Sequence, residues 1–195
     1  MALLIIHLSD IHIVDESDPV FSRIGKIVAA AFGDLSATVT ECHVLVTGDI
    51  VQSGLPAQYA AADRFFEGLA DAIESRISTA PKFVFCPGNH DCDLGSDQSL
   101  RSAVLDSARR TSSRSPAIAD ALASPLHAYF KFAEKWGGKS SIPGPWFSCH
   151  FFSGGTPIRY LAVNASVTST NPEVPGTLFL PVEEFPALSD STSAL

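Results

Sequence analysis

The chain has 195 residues, 46% of them hydrophobic, with a mean hydropathy of +0.19, which excludes a disordered chain and fits one domain with a real core. A net charge of -8 disfavours non-specific attraction to nucleic acid or to an anionic membrane, although a local basic patch could still hold a phosphate. No run approaches the roughly 20 apolar residues of a membrane span, and the apolar start lacks the basic flank and cleavage site of a signal peptide, so a soluble, cytoplasmic protein is expected.

Leu3-Leu4-Ile5-Ile6-His7-Leu8 reads as a first strand running into Ser9-Asp10-Ile11-His12. An acidic, turn-like stretch follows to Pro19, where a helix is expected to start; Val20, Ile24, Ile27, Val28 and Ala31 recur at helical spacing and Gly33 closes it. The second strand is His43-Val44-Leu45-Val46-Thr47, which leads into Gly48-Asp49-Ile50-Val51-Gln52-Ser53-Gly54. Pro56 opens a long helix to about Ile77, with Tyr59, Phe66, Leu69, Ile73 and Ile77 as its buried stripe. The third strand, Phe83-Val84-Phe85, is apolar throughout; Pro87-Gly88 stops it, and Asn89-His90-Asp91 lies just beyond. This alternation predicts parallel strands with right-handed crossovers.

Beyond Asp91 the character changes. Asp93 to Ser115 is rich in Ser, Asp and Arg, and residues 93–140 read as a helical insertion or lid within a single domain spanning 1–195. Arg101, Arg109, Arg110 and Arg114 suggest either a phosphate clamp or, more simply, a solvated cluster of charge. A helix is expected from Ile118 to Trp136, bent at Pro125. Trp146 to Phe152 and Arg159 to Val163 read as a hairpin through Ser153-Gly154-Gly155-Thr156-Pro157, and Val182 to Leu188 as a further helical segment. Cys42, Cys86, Cys92 and Cys149 show no CxxC spacing and read as reduced thiols.

The chemistry gathers where three apolar strands end, because loops leaving the carboxyl ends of parallel strands converge on one rim. Asp10, His12, Asp49 and Asn89 offer two carboxylates, an imidazole and an amide oxygen, a mixed hard and borderline set that suits Mn, Fe, Zn or Mg. Asp49, the middle element, could bridge two ions, and such a pair activates a hydroxide for in-line attack at phosphorus. His90 could protonate the leaving oxygen, with Asp91 fixing its tautomer through the other ring nitrogen. Taken singly, each motif has a plainer reading, with Gly48 as a positive-φ turn and Asp49 as a helix cap. Three motifs in order at positions 10, 49 and 89, each after an apolar strand, outweigh those readings together. His7 and His43 are expected to be satisfied core histidines, with His127 and His150 grouped beside them.

Asp10-Ile11-His12, Gly48-Asp49 with Gly54, and Gly88-Asn89-His90-Asp91 resemble the calcineurin-like metallophosphoesterases, closely over residues 3 to 92 and loosely to Asn164-Ala165-Ser166. The resemblance implies an α/β fold, a βαβαβ sandwich, and two divalent metal ions. Asp10 and His12 would hold one ion, Asp49 would bridge, Asn89 would hold the other, and His90 would assist at the leaving group, with Asp91 beside it. It further implies a metal-dependent phosphoesterase that hydrolyses a phosphomonoester or phosphodiester by attack of a metal-bound hydroxide. The family completes its site with three further histidines, yet no histidine follows His150 here. That departure implies a weak second metal site, a domain truncated at its carboxyl end and an incomplete second sheet. Its open edge would favour self-association or a partner chain. The alternative is a non-catalytic scaffold or binding subunit. A nucleotide-binding α/β domain finds no support, since neither GxGxxG nor GxxxxGKS/T follows a strand.

Overall fold

Three apolar runs build the central sheet: β1 (Ala2–Leu8), β2 (Val39–Thr47) and β3 (Lys82–Cys86). The computed structural model describes residues 2–35, 38–95, 98–110, 115–136, 146–174 and 176–179, and in it these strands pair in parallel in the order β1-β2-β3. Leu8 pairs with Val46 and Thr47 with Cys86, so the three carboxyl ends reach one rim together, as the alternating pattern predicts.

Strand side chains alternate between faces, and the two faces of this sheet meet different partners. One carries Ile6, Cys42, Val44, Val46, Phe83 and Phe85, all buried. Against it pack α1 (Ile24–Phe32), α2 (Pro56–Ile77) and α5 (His127–Lys135), through Val28, Phe32, Phe66 and Phe132. The Phe66 ring lies 5.7 Å from that of Phe83 and 5.0 Å from that of Phe85. Proline at its first turn and the buried stripe Tyr59, Phe66, Leu69 and Ile73 give α2 the bounds expected of it. The first helix begins later than its hydrophobic spacing suggests. Asp18 Oδ1 accepts from Val20 N–H at 3.0 Å and a 3₁₀ turn fills Phe21–Arg23, so α1 starts only at Ile24.

After β3 come α3 (Gln98–Arg110), α4 (Pro116–Ala123) and a 3₁₀ turn at Ser124–Leu126 that bends the chain at Pro125 before α5. Arg101 is no anion clamp. Its guanidinium is buried and donates to the carbonyls of Ser169 at 3.1 Å, Leu122 at 3.1 Å and Val167 at 2.6 Å. Arg109 donates to the Thr177 carbonyl and lies over the Phe179 ring, and Arg110 donates to the Asp106 carbonyl. Arg114 and the helix expected over Val182 to Leu188 lie outside the described residues.

The second sheet is a hairpin of β4 (Trp146–Ser153) and β5 (Thr156–Val163), antiparallel and joined by Gly154-Gly155. It covers the other face of the central sheet along β2 and β3. His43, fully buried there as expected, meets Tyr160 Oη at 2.8 Å through Nδ1 and Glu41 Oε1 at 3.1 Å through Nε2. Over β1 the cover stops: Ile5 is 48% exposed, and His7 beside it is exposed too. His7 is therefore not a core histidine; it meets Thr47 Oγ1 at 2.6 Å on the open side of the sheet. His127 and His150 are exposed as well. All four cysteines are free thiols. No helix among the described residues is long and apolar enough to cross a membrane.

Candidate metal centre

Past their strand ends, the loops after β1 and β2 remain paired. Ile11 and His12 N–H both donate to the Asp49 carbonyl at 2.9 Å, Ile13 N–H donates to Ile50, and Gln52 N–H returns to Ile13. Ile13, Ile50 and Val51 are completely buried and anchor this extension to the core. Between the anchors, Asp10, His12 and Asp49 adopt φ of 55°, 55° and 53°, the left-handed region that side-chain-bearing residues seldom occupy. Such conformations cost about 1–3 kcal/mol each and persist where the surroundings over-determine them. Their result is convergence: a ligand atom from each of Asp10, His12 and Asp49 lies within 4.8 Å of the others.

The third loop closes on the second. A Cβ on Gly88 would overlap Asp49 Oδ1 and lie 2.8 Å from its Cγ, so only glycine allows the approach. Asn89–Asp91 then makes one 3₁₀ turn, and its His90 N–H donates to Asp49 Oδ1 at 2.9 Å. Asp91 points the other way, fully buried, accepting from the N–H groups of Gly88 at 2.8 Å, Ile50 at 3.1 Å and Val51 at 3.1 Å, and from Tyr59 Oη at 2.9 Å. Burial pushes its carboxyl up to about 6, against the pull of those hydrogen bonds.

The expectation that Asp91 orients His90 is therefore corrected. His90 Nδ1 faces the Gln52 carbonyl at 2.9 Å, with the Gln52 side-chain amide 3.4 Å from the same nitrogen; a protonated Nδ1 donates to that carbonyl and turns Nε2 away from it. Gln52 had no assigned role in the sequence; standing in the Gly48–Gly54 loop was its one signal. The rings of His12 and His90 meet edge to face at 4.6 Å.

Ser166 is a second residue the sequence reading missed. Its hydroxyl donates to the Pro87 carbonyl at 2.9 Å, bracing the end of β3 from the 3₁₀ turn Ala165–Thr168. Its trace in the sequence was its place in Asn164-Ala165-Ser166, where the resemblance continues loosely, with no role attached. Between the rim and the hairpin lies a cavity of about 590 Å³, lined by Asp10, Asp49 and Asn89 at the site and also by Val84, Ser169 and Glu173.

The donor set suits a divalent ion. It combines carboxylate oxygens with one imidazole, and His12 Nδ1 is buried without a hydrogen-bond partner, an unusual state for a ring nitrogen that has nothing to bind. Among the described residues this is the one group of three such side chains that could hold a metal ion. The family model described as calcineurin-like phosphoesterase matches residues 3–180 of the chain. No curated protein matches it.

Proposed function

The chain belongs to the calcineurin-like phosphoesterase family, and on that premise we propose that it hydrolyses a phosphomonoester or phosphodiester with divalent metal ions held at the strand-end rim. The observation that carries this reading is the convergence of Asp10, His12 and Asp49 ligand atoms within 4.8 Å. Asp10, His12 and Asp49 would hold a first ion, drawn from Mn, Fe, Zn or Mg. A second and weaker ion would draw on Asp49 and Asn89.

Bound ions supply Lewis acidity at phosphorus and an activated water. The chain's own residues do the rest. Two carboxylates repel a phosphate, so the rim admits substrate only once a cation offsets them. His90, with Nδ1–H fixed on the Gln52 carbonyl, presents Nε2 to pass a proton to the leaving oxygen. Asp91 is a positioning residue: by gathering amides from the second and third loops it keeps Asp49 and Asn89 in register.

A second reading, a binding subunit without turnover, is favoured by one feature. Among the described residues, only Asp49 and Asn89 are identified as side chains for a second ion. Turnover of bis-p-nitrophenyl phosphate with added Mn²⁺, lost in Asp49→Asn, separates the two readings.

A further inference from the structure

Two residues that line the cavity beside the metal-ligand cluster each carry a buried polar atom with no partner. Ser169 is fully buried; its N–H donates to Ser166 and its carbonyl accepts from Arg101, but its Oγ is unmatched. Glu173 Oε2 is likewise buried and unmatched, and both residues line the cavity that Asp10, Asp49 and Asn89 line at the site. Buried polar atoms are almost always hydrogen-bonded, and a charged oxygen left without a donor is the costliest exception.

The rest of the lining narrows what could supply that donor. Val84, Val163 and Leu178 form apolar walls, and no described lining residue is Lys or Arg, while Asp10, Asp49 and Glu173 are acidic. A cationic donor on a short hydrocarbon span fits this pattern. The Arg101 guanidinium behind Ser169 does not meet the need: its bonds go to backbone carbonyls and none reaches Ser169 Oγ or Glu173 Oε2.

We propose that this cavity receives the alcohol portion of the phosphate ester and selects amino alcohols, whose ammonium group pairs with Glu173 and Ser169; the proposal rests on the phosphoesterase reading above. Glu173 and Ser169 are then specificity-determining residues. They meet the part of the substrate that departs, while Asp10, His12 and Asp49 serve the phosphoryl end.

Binding without turnover tests it. The full chain with Mn²⁺ is titrated calorimetrically with ω-aminoalkylphosphonates of increasing length, and with alkyl- and ω-hydroxyalkylphosphonates of the same lengths; this phosphorus–carbon bond offers no ester to cleave. At one chain length the amino compound should bind about tenfold tighter than its alkyl match, the scale of a charge-assisted hydrogen bond. Glu173→Gln, which keeps the side chain's shape, should cut that advantage below about threefold, and Ser169→Ala should reduce it independently. No amino advantage at any length, an equal advantage for hydroxyl compounds, or one that survives Glu173→Gln would overturn the proposal. A Glu173-dependent amino preference in a chain that hydrolyses no ester would instead overturn the phosphoesterase reading alone. Ester hydrolysis without that preference would overturn the cavity assignment alone.

Discussion

The backbone N–H of His90 donates to Oδ1 of Asp49 at 2.9 Å, so the third loop is hydrogen-bonded to a carboxylate supplied by the second. The Asp49 carbonyl in turn accepts from Ile11 and His12 in the first loop. One residue thus ties all three strand ends together with its main chain and its side chain.

Asp49→Asn should therefore weaken Mn²⁺ binding more than His90→Asn. Asp49 belongs to the ligand cluster, whereas the His90 side chain is bonded to Gln52 outside it. Calorimetric titration with Mn²⁺ measures both, and equal losses would contradict these roles.

Gly88→Ala places a Cβ against the Asp49 carboxylate and backbone. Relieving that overlap must move the second or third loop, and overpacking of this kind costs about 1–3 kcal/mol. Urea unfolding should show the loss, with weakened Mn²⁺ affinity alongside it; a parent-like midpoint and affinity would show that the loops approach less closely than described.

Asp91→Ala leaves the amides of Gly88, Ile50 and Val51 without their acceptor and takes from the Tyr59 hydroxyl its 2.9 Å bond. With unmatched buried donors costing about 1–3 kcal/mol each, the loss should reach about 3 kcal/mol or more. Tyr59→Phe, which removes one of these bonds, should cost about 1 kcal/mol. A comparable small loss in both variants would deny Asp91 its bracing role.

Arg101→Met should destabilise the fold by about 2–4 kcal/mol, since three buried carbonyls lose their donor. Inorganic phosphate affinity of the folded variant should stay at the parent value. A selective loss of phosphate affinity with normal stability would restore the anion-clamp reading.

Glu41 supplies a pH test. It hydrogen-bonds Lys82 and His43, and the Lys82 bond first of all holds its carboxyl down to about 2 from 4.5. A carboxyl lowered by folding stabilises the fold above its unfolded pKa, and that contribution is lost as pH falls through the folded one. Stability of the parent should therefore drop between pH 4.5 and 2, more steeply than that of Glu41→Gln. Parallel acid limbs in denaturant-unfolding midpoints would show that the bond contributes nothing.

What could be read from the sequence was whatever local pattern decides. The α2 bounds follow from Pro56 and a helical stripe, and the parallel direction of β1, β2 and β3 from strand–helix alternation. The start of β2 was hidden because Thr40 and Glu41 interrupt the apolar run, yet Glu41 faces the hairpin side and is matched there by Lys82. At the site, positions 10, 12 and 49 were legible as a group. The partner of His90 was not, because a 3₁₀ turn sends neighbouring His90 and Asp91 to opposite sides, and nearness in sequence is no guide to that. Arg101 and Ser166 act on carbonyls far along the chain, a kind of contact that no local pattern records.

The most direct test is the rate of bis-p-nitrophenyl phosphate hydrolysis measured against Mn²⁺ concentration for the parent chain and Asp49→Asn. The account predicts a parent rate that rises with Mn²⁺ and saturates, together with loss of turnover in the variant. A parent with no turnover at any Mn²⁺ concentration, or a rate indifferent to both Mn²⁺ and Asp49, would contradict it.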